Sequence, residues 1–271
     1  MSRLDSERPG GCLSAQPGPG VPRYQLDDAQ RSAVKEALAA RQELARAPTP
    51  LEAVARTMIR LNCVACHARG SLAGPGPSRL DYFTVVGETD MGDEGRVPPH
   101  LSDTGNKLRP DWLREVLTNK GAVRPYMAVR MPQYGPENVL DLIALFPQAD
   151  ALQEPTTLAA ESPVLVKAGR QLVGTGGYSC VSCHNFGSRK ALSLGVMDMT
   201  KMAGRLRSGW FRRYLLDPAS LRPGTRMPAF WPEAKPAITN VLDGNTELQI
   251  AAIWTFLSQG AKAEAPQGLT P

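Results

Sequence analysis

Two short segments concentrate most of the reactive side chains. Cys63-Val64-Ala65-Cys66-His67 and Cys180-Val181-Ser182-Cys183-His184 are both C-x-x-C-H pentapeptides, and together they take four of the five cysteines and two of the three histidines. Only Cys12 and His100 remain. This pattern is the sequence signal for covalent c-type haem attachment. Two thiols at that spacing reach the two vinyl groups of one haem, and the adjacent His falls beneath the iron as proximal ligand. Three other readings compete. Zinc knuckles pair their C-x-x-C units about 15–20 residues apart, whereas here more than a hundred residues separate them. A thioredoxin-like motif needs a βαβ setting, which the chain does not show. A disulfide within C-x-x-C is strained as a purely structural bridge. The expected cofactors are therefore two covalently bound haem c groups, held by Cys63, Cys66, Cys180 and Cys183, with His67 and His184 on the irons.

The surroundings of the motifs repeat. The segment from Leu108 to Leu117 aligns with that from Leu206 to Leu215, with Leu, Arg, Trp, Arg and Leu at constant spacing. Arg124-Pro125 then matches Arg222-Pro223, and Arg130-Met131-Pro132 matches Arg226-Met227-Pro228. Each motif follows a helical pattern: Leu51, Val54, Ala55, Met58 and Ile59 before the first, Val164, Ala168 and Leu172 before the second. Gly169 would let the second of these helices approach a neighbour closely. Each unit ends in an apolar helix signal, at Glu137–Phe146 and Thr246–Leu257. Upstream, Asp27 is placed to cap an Ala-rich helix over Asp28–Ala47, ended by Pro48 and Pro50. Residues 1–22 show no pattern and read as disordered. The expected organisation is a disordered start plus helical extension (1–50), a haem domain (51–150), a linker (151–163) and a second haem domain (164–262). The first unit is longer by the Gly/Pro-rich stretch 70–99, read as a surface loop.

This layout resembles the small, mostly helical c-type cytochrome fold. In that family a helix leads into C-x-x-C-H, loops wrap the haem, a Met-Pro turn brings the sixth ligand, and a C-terminal helix crosses the first. Both units match in that order. The resemblance implies a mostly α chain of two tandem cytochrome c-like domains, with Met131 and Met227 as sixth ligands. Met127 is the rival in the first unit, and Met197, Met199 and Met202 are rivals in the second. His100 aligns with Asp198 in the repeat, which favours an ordinary loop histidine. Trp112 and Trp210 are placed to donate their indole N–H to haem propionates, and Arg109, Arg207, Arg114 and Arg212 to neutralise them. Packing of the two indoles, with solvated arginines, is the alternative.

Composition sets the remaining bounds. The 271 residues are 42% hydrophobic and 21% charged, ordinary for a globular chain, but only 6% aromatic, so a haem plate would complete a thin core. The net charge is +5, and residues 151–271 carry all of it, with 13 basic and 8 acidic side chains. No polybasic run or recognised motif points to nucleic acid. Arg205, Arg207, Arg212, Arg213, Arg222 and Arg226 would instead form a rim that steers an acidic redox partner, or simply a solvated face. No apolar run reaches the ~20 residues that span a bilayer. The resemblance implies a periplasmic or otherwise extracytoplasmic location, yet the first thirty residues contain no apolar leader, so the chain is expected to be truncated or part of a larger protein. His/Met ligation leaves no open iron position, and the expected role is electron transfer, not catalysis. A dihaem peroxidase-like enzyme or a haem-based sensor, with one switchable ligand, is the alternative.

Overall fold

The computed structural model describes residues 5–72, 74–87, 91–153, 158 and 162–269. Most of the expected linker (154–157 and 159–161) lies outside the described residues. Among these, secondary structure is helical, with β pairing confined to isolated bridges. This agrees with the mostly α expectation. No helix among the described residues is long and apolar enough to cross a membrane. The chain divides into two compact units, residues 1–49 and 50–271.

In the first unit, residues 5–21 form successive hydrogen-bonded turns, among them Gly11 N to Arg8 O, Ser14 N to Gly11 O and Gly18 N to Gly10 O. The helix that follows spans Asp28–Ala39 and opens with a capping box: Asp27 Oδ1 accepts from Gln30 N at 2.7 Å, and Asp27 N donates to Gln30 Oε1 at 3.0 Å. It stops eight residues short of the expected Ala47, breaking at Ala40 before a single turn, Arg41–Leu44. None of its residues is buried. Propensity alone sustains an isolated helix poorly, so the break costs little.

The second unit contains two hydrophobic clusters, one around each C-x-x-C-H motif, with Leu108 packed against both. The first cluster forms where the helix Pro50–Arg60 meets Asp141–Ala149. Val54 and Met58 are buried there against Leu142 and Phe146, while Leu51 and Ile59, on the expected apolar stripe, stay exposed. The closing helix is divided: a turn over Pro136–Val139 joins Asp141–Ala149 through Leu140. The second cluster forms where Pro163–Val173 meets Thr246–Ser258, capped by Ser162 and Asn245 respectively. Gly169 is the point of contact. A Cβ there would collide with Ala252 O and Phe256 Cβ, so the close crossing read from the sequence requires glycine at this position.

The Trp-bearing segments are short helices, Pro110–Thr118 and Ser208–Leu216. The residues just before them join the two halves. Leu108 and Leu206 form an antiparallel bridge, with Arg109 N donating to Arg205 O and Arg207 N to Lys107 O, both at 2.9 Å. The repeated segments thus pair with one another across a local two-fold arrangement. The 70–99 stretch is more than a surface loop. Phe83 and Met91 are buried, Val85 bridges to Met127, and Arg96 Nη1 donates to Leu80 O at 2.7 Å and to Phe83 O at 3.2 Å.

Candidate haem sites

Both motifs adopt the same backbone. Asn62 and Ser179 take positive φ (54° and 55°), which turns the chain sharply at the end of the incoming segment. A 3₁₀ turn follows, Cys63–Ala65 in one half and Cys180–Ser182 in the other. Cys63 O accepts from Cys66 N at 3.1 Å and from His67 N at 2.8 Å; Cys180 O accepts from Cys183 N at 3.1 Å and from His184 N at 3.0 Å. All four thiols are free and partly buried. Burial raises the Cys63 thiol and pushes Cys180 up to about 12. Cys63 and Cys180 are therefore neutral thiols, unlike the low-pKa thiolates of redox-exchange motifs.

Each motif histidine is fixed by a backbone carbonyl. His67 Nδ1 lies 2.7 Å from Pro99 O, and His184 Nδ1 lies 3.1 Å from Met197 O. Donation from Nδ1 selects the tautomer whose Nε2 carries the free lone pair, as metal-ligating histidines require. Burial lowers the pKa of both rings, against the raising effect of the carbonyl bond, which also favours the neutral, ligating form. Pro99 and Met197 stand at equivalent positions of the repeat. The role of Met197 is thus on the histidine side of its site. Met199 is buried in the core and Met202 packs against it.

Met131 is partly buried against the first cluster, as are Cys63, Val64 and Tyr134; Met227 is partly buried against the second, as is Cys180. Tyr134 and Cys63 influence one another electrostatically, so the Met-Pro turn lies on the side of the motif. Met127 is buried elsewhere, in the bridge to Val85, where its carbonyl accepts from Arg130. His100 is exposed. The donor chemistry therefore fits a haem in each half: two free cysteines, an oriented imidazole, and a thioether packed against the same cluster. No group of three or more His, Cys, Asp or Glu among the described residues is arranged to hold a metal ion.

The residues expected around the propionates are dispersed. Trp210 is buried, stacks on Tyr214 at 4.7 Å and carries Lys107 Nζ 4.6 Å above its ring; Trp112 is only partly buried. Arg109 and Arg114 are exposed. Arg207 Nε donates to Leu108 O at 3.1 Å, and Arg212 binds Glu247 through two bonds of 2.7 and 2.5 Å. The expected basic rim is also partly engaged within the chain: Arg213 pairs with Asp103 at 2.9 Å, Arg222 with Glu94 at 3.7 Å, and Arg205 is buried.

The structure groups a different set, joining Arg205 and Arg222 of the expected rim to Lys107 and Arg124, to which the sequence assigned no site role. Lys107, Arg124, Arg205 and Arg222 converge between the halves, with Tyr126 and Tyr214 beside them and Glu94 as their carboxylate. Lys107 and Arg205 are repeat equivalents, as are Arg124 and Arg222. That shared spacing was the available signal. The chain matches no family model, no curated protein and no solved structure.

Proposed function

We propose that this chain is a dihaem c-type electron carrier, acting alone or as the electron-transfer part of a larger extracytoplasmic redox protein. The observation that carries this reading is the equivalence of the two C-x-x-C-H sites. Each has a left-handed residue, a 3₁₀ turn with a free cysteine at its start and another just after it, and a histidine whose Nδ1 is tied to a carbonyl at the same place in the repeat. A core filler has no need of that second bond; a metal-ligating histidine does.

Bound haem supplies a one-electron iron couple, and everything else is done by the chain. Cys63, Cys66, Cys180 and Cys183 provide the thioether links. His67 and His184 would ligate the irons through Nε2, and Met131 and Met227 would supply the thioether ligands, which would leave no position for oxygen or peroxide and raise the potential relative to bis-His ligation. The partners are redox proteins, acidic where they meet the more basic second half.

The test is maturation of the full chain with a c-type haem attachment system. The expected product retains two haems after denaturation, measured by mass and by the pyridine haemochrome spectrum. Cys63→Ala with Cys66→Ala loses one, and Cys180→Ala with Cys183→Ala loses the other. The oxidised protein is low-spin, and its red Met–Fe(III) band falls stepwise in Met131→Ala and Met227→Ala. A haem-free product overturns the reading. One high-spin haem transfers it to the peroxidase or sensor class.

A further inference from the structure

Among the described residues, four cations with one carboxylate between them make an unbalanced group. Arg205 is 7% exposed, and among the described residues its Nε has no partner and one of its Nη atoms has the Met197 thioether, at 2.8 Å. A buried guanidinium without an anion is destabilising. Lys107 lies over Trp210, and its ammonium has Arg222, Arg205 and Arg124 as electrostatic neighbours. Arg124 Nη1 donates to the Glu94 carbonyl at 3.3 Å, and the Glu94 carboxylate faces Arg222 at 3.7 Å and the Arg226 backbone N–H at 3.2 Å. Among the described residues, Glu94 is therefore a single negative charge among four positive ones.

The placement of this group is specific. The Leu108–Leu206 bridge puts Lys107 beside Arg207 and Arg205 beside Arg109, so each half contributes one residue from its bridge and one from its Arg-Pro turn. Met197 connects the group to the second motif: Arg205 reaches its thioether at 2.8 Å, and its carbonyl holds His184 Nδ1 at 3.1 Å. Burial pushes Lys107 well below its ordinary value and Arg205 down to about 10, the expected response of cations that still lack their anions.

Resting on the dihaem reading, we propose that Lys107, Arg124, Arg205 and Arg222 form one shared carboxylate-binding seam that receives the propionates of both haems. Each haem brings a pair of propionates, so two haems supply the anions that Glu94 alone does not. The consequence is electrical. A cation in a shared seam stabilises the reduced form of both irons, so loss of one seam cation lowers both midpoint potentials together.

The experiment is a potentiometric titration of the matured full chain and of four single variants: Lys107→Met, Arg124→Gln, Arg205→Gln and Arg222→Gln. The expected result is that each variant lowers both midpoint potentials. The change is about tenfold in each reduction equilibrium, the order one screened charge contributes at short range; tenfold is about 59 mV for a one-electron couple. Arg109→Gln, on an exposed side chain, leaves both potentials in place. Two variants stand in each half, so if one fails to accumulate, its companion gives the answer. Movement of only one potential per variant, or of neither, overturns the shared seam and leaves the dihaem reading intact. A wild-type chain without two covalent haems overturns both.

Discussion

The two halves present the same haem motif on unlike cores. Around Cys180 the buried cluster includes Tyr178, Phe186, Trp210, Phe211, Trp231 and Phe256; around Cys63 it is Val54, Met58, Leu113, Leu117, Val139, Leu142 and Phe146, with one aromatic ring. Their polar centres differ as well. In the second half a neutral residue, Gln249, is fully buried and uses its whole amide: Oε1 accepts from Tyr178 Oη at 2.6 Å and Trp231 Nε1 at 3.2 Å, and Nε2 donates to Ile238 O and Val241 O. In the first half an ion pair does the work, Arg69 to Asp150 at 2.7 Å with side chains 7% and 8% exposed. The difference teaches that a repeated ligand geometry does not need a repeated core. The second half surrounds its turn with a larger aromatic core, while the first combines a smaller aliphatic core with a charged anchor.

The sharpest test of that contrast removes one plate at a time. Cys63→Ala with Cys66→Ala is expected to abolish amide protection in Pro50–Arg60 and Asp141–Ala149. Cys180→Ala with Cys183→Ala is expected to leave Pro163–Val173 and Thr246–Ser258 protected. Hydrogen exchange read by mass spectrometry on the matured chains decides it. Equal loss in the two halves would show that the larger aromatic core confers no independence.

Next in size is the ion pair. Asp150 also accepts from Gly105 N at 2.7 Å, and Arg69 Nη1 donates to Leu101 O at 2.6 Å while its guanidinium lies 5.2 Å from the Phe146 ring centroid. Asp150→Ala strands a buried guanidinium, and the expected loss is about 3–5 kcal/mol. Denaturant unfolding measures it. Arg69→Leu combined with Asp150→Ala should lose less than the two single losses added together, because the second change removes the stranded charge.

Gln249→Leu is the matching change in the second half. It leaves Tyr178 Oη and Trp231 Nε1 without their shared acceptor, and the expected loss is about 2–4 kcal/mol. If this loss exceeded that of Asp150→Ala, the neutral hub would be the stronger anchor and the contrast between the halves would reverse.

Much of this arrangement was legible in the chain. Helical spacing located the helix before each motif and the one that closes each half, and the Asp27 capping signal and the tight contact at Gly169 both stand where the residues suggested. The breaks were not legible. Ala40 and Leu140 are ordinary helix formers, and the helices are interrupted there for want of packing or through tertiary geometry, which propensity does not encode. Nor did Asn62 and Ser179 announce their left-handed backbones, since neither is glycine. The seam was missed for another reason. Lys107, Arg124, Arg205 and Arg222 lie in loops or at helix ends, where a cation is normally solvated. The pairing of Leu108 with Leu206, a contact distant in sequence, brings the Lys107 and Arg205 segments together, with Arg205 buried and the other three partly buried. Arg109 and Arg207 had the same spacing and were preferred, but the same bridge leaves Arg109 exposed and turns Arg207 to the Leu108 carbonyl.

The smallest expected effect is at Arg212 and Glu247, which connect the Trp-bearing helix Ser208–Leu216 to the closing helix Thr246–Ser258. The bidentate bond from Arg212 holds the Glu247 carboxyl below its ordinary range. With the folded value depressed, the folded state binds fewer protons than the unfolded chain. The contribution is therefore fully present above the ordinary carboxylate value and is lost as pH falls through the depressed one. The side chains are 30% and 55% exposed, so solvent screens the pair, and Glu247→Gln should cost no more than about 1 kcal/mol at neutral pH. At a pH below the depressed value, variant and parent should unfold together. The Asp150→Ala deficit is larger at neutral pH because its partner has no water to turn to. Parallel melts of both variants at neutral pH separate the screened pair from the buried one, and equal deficits would mean that water reaches Arg69 as readily as it reaches Arg212.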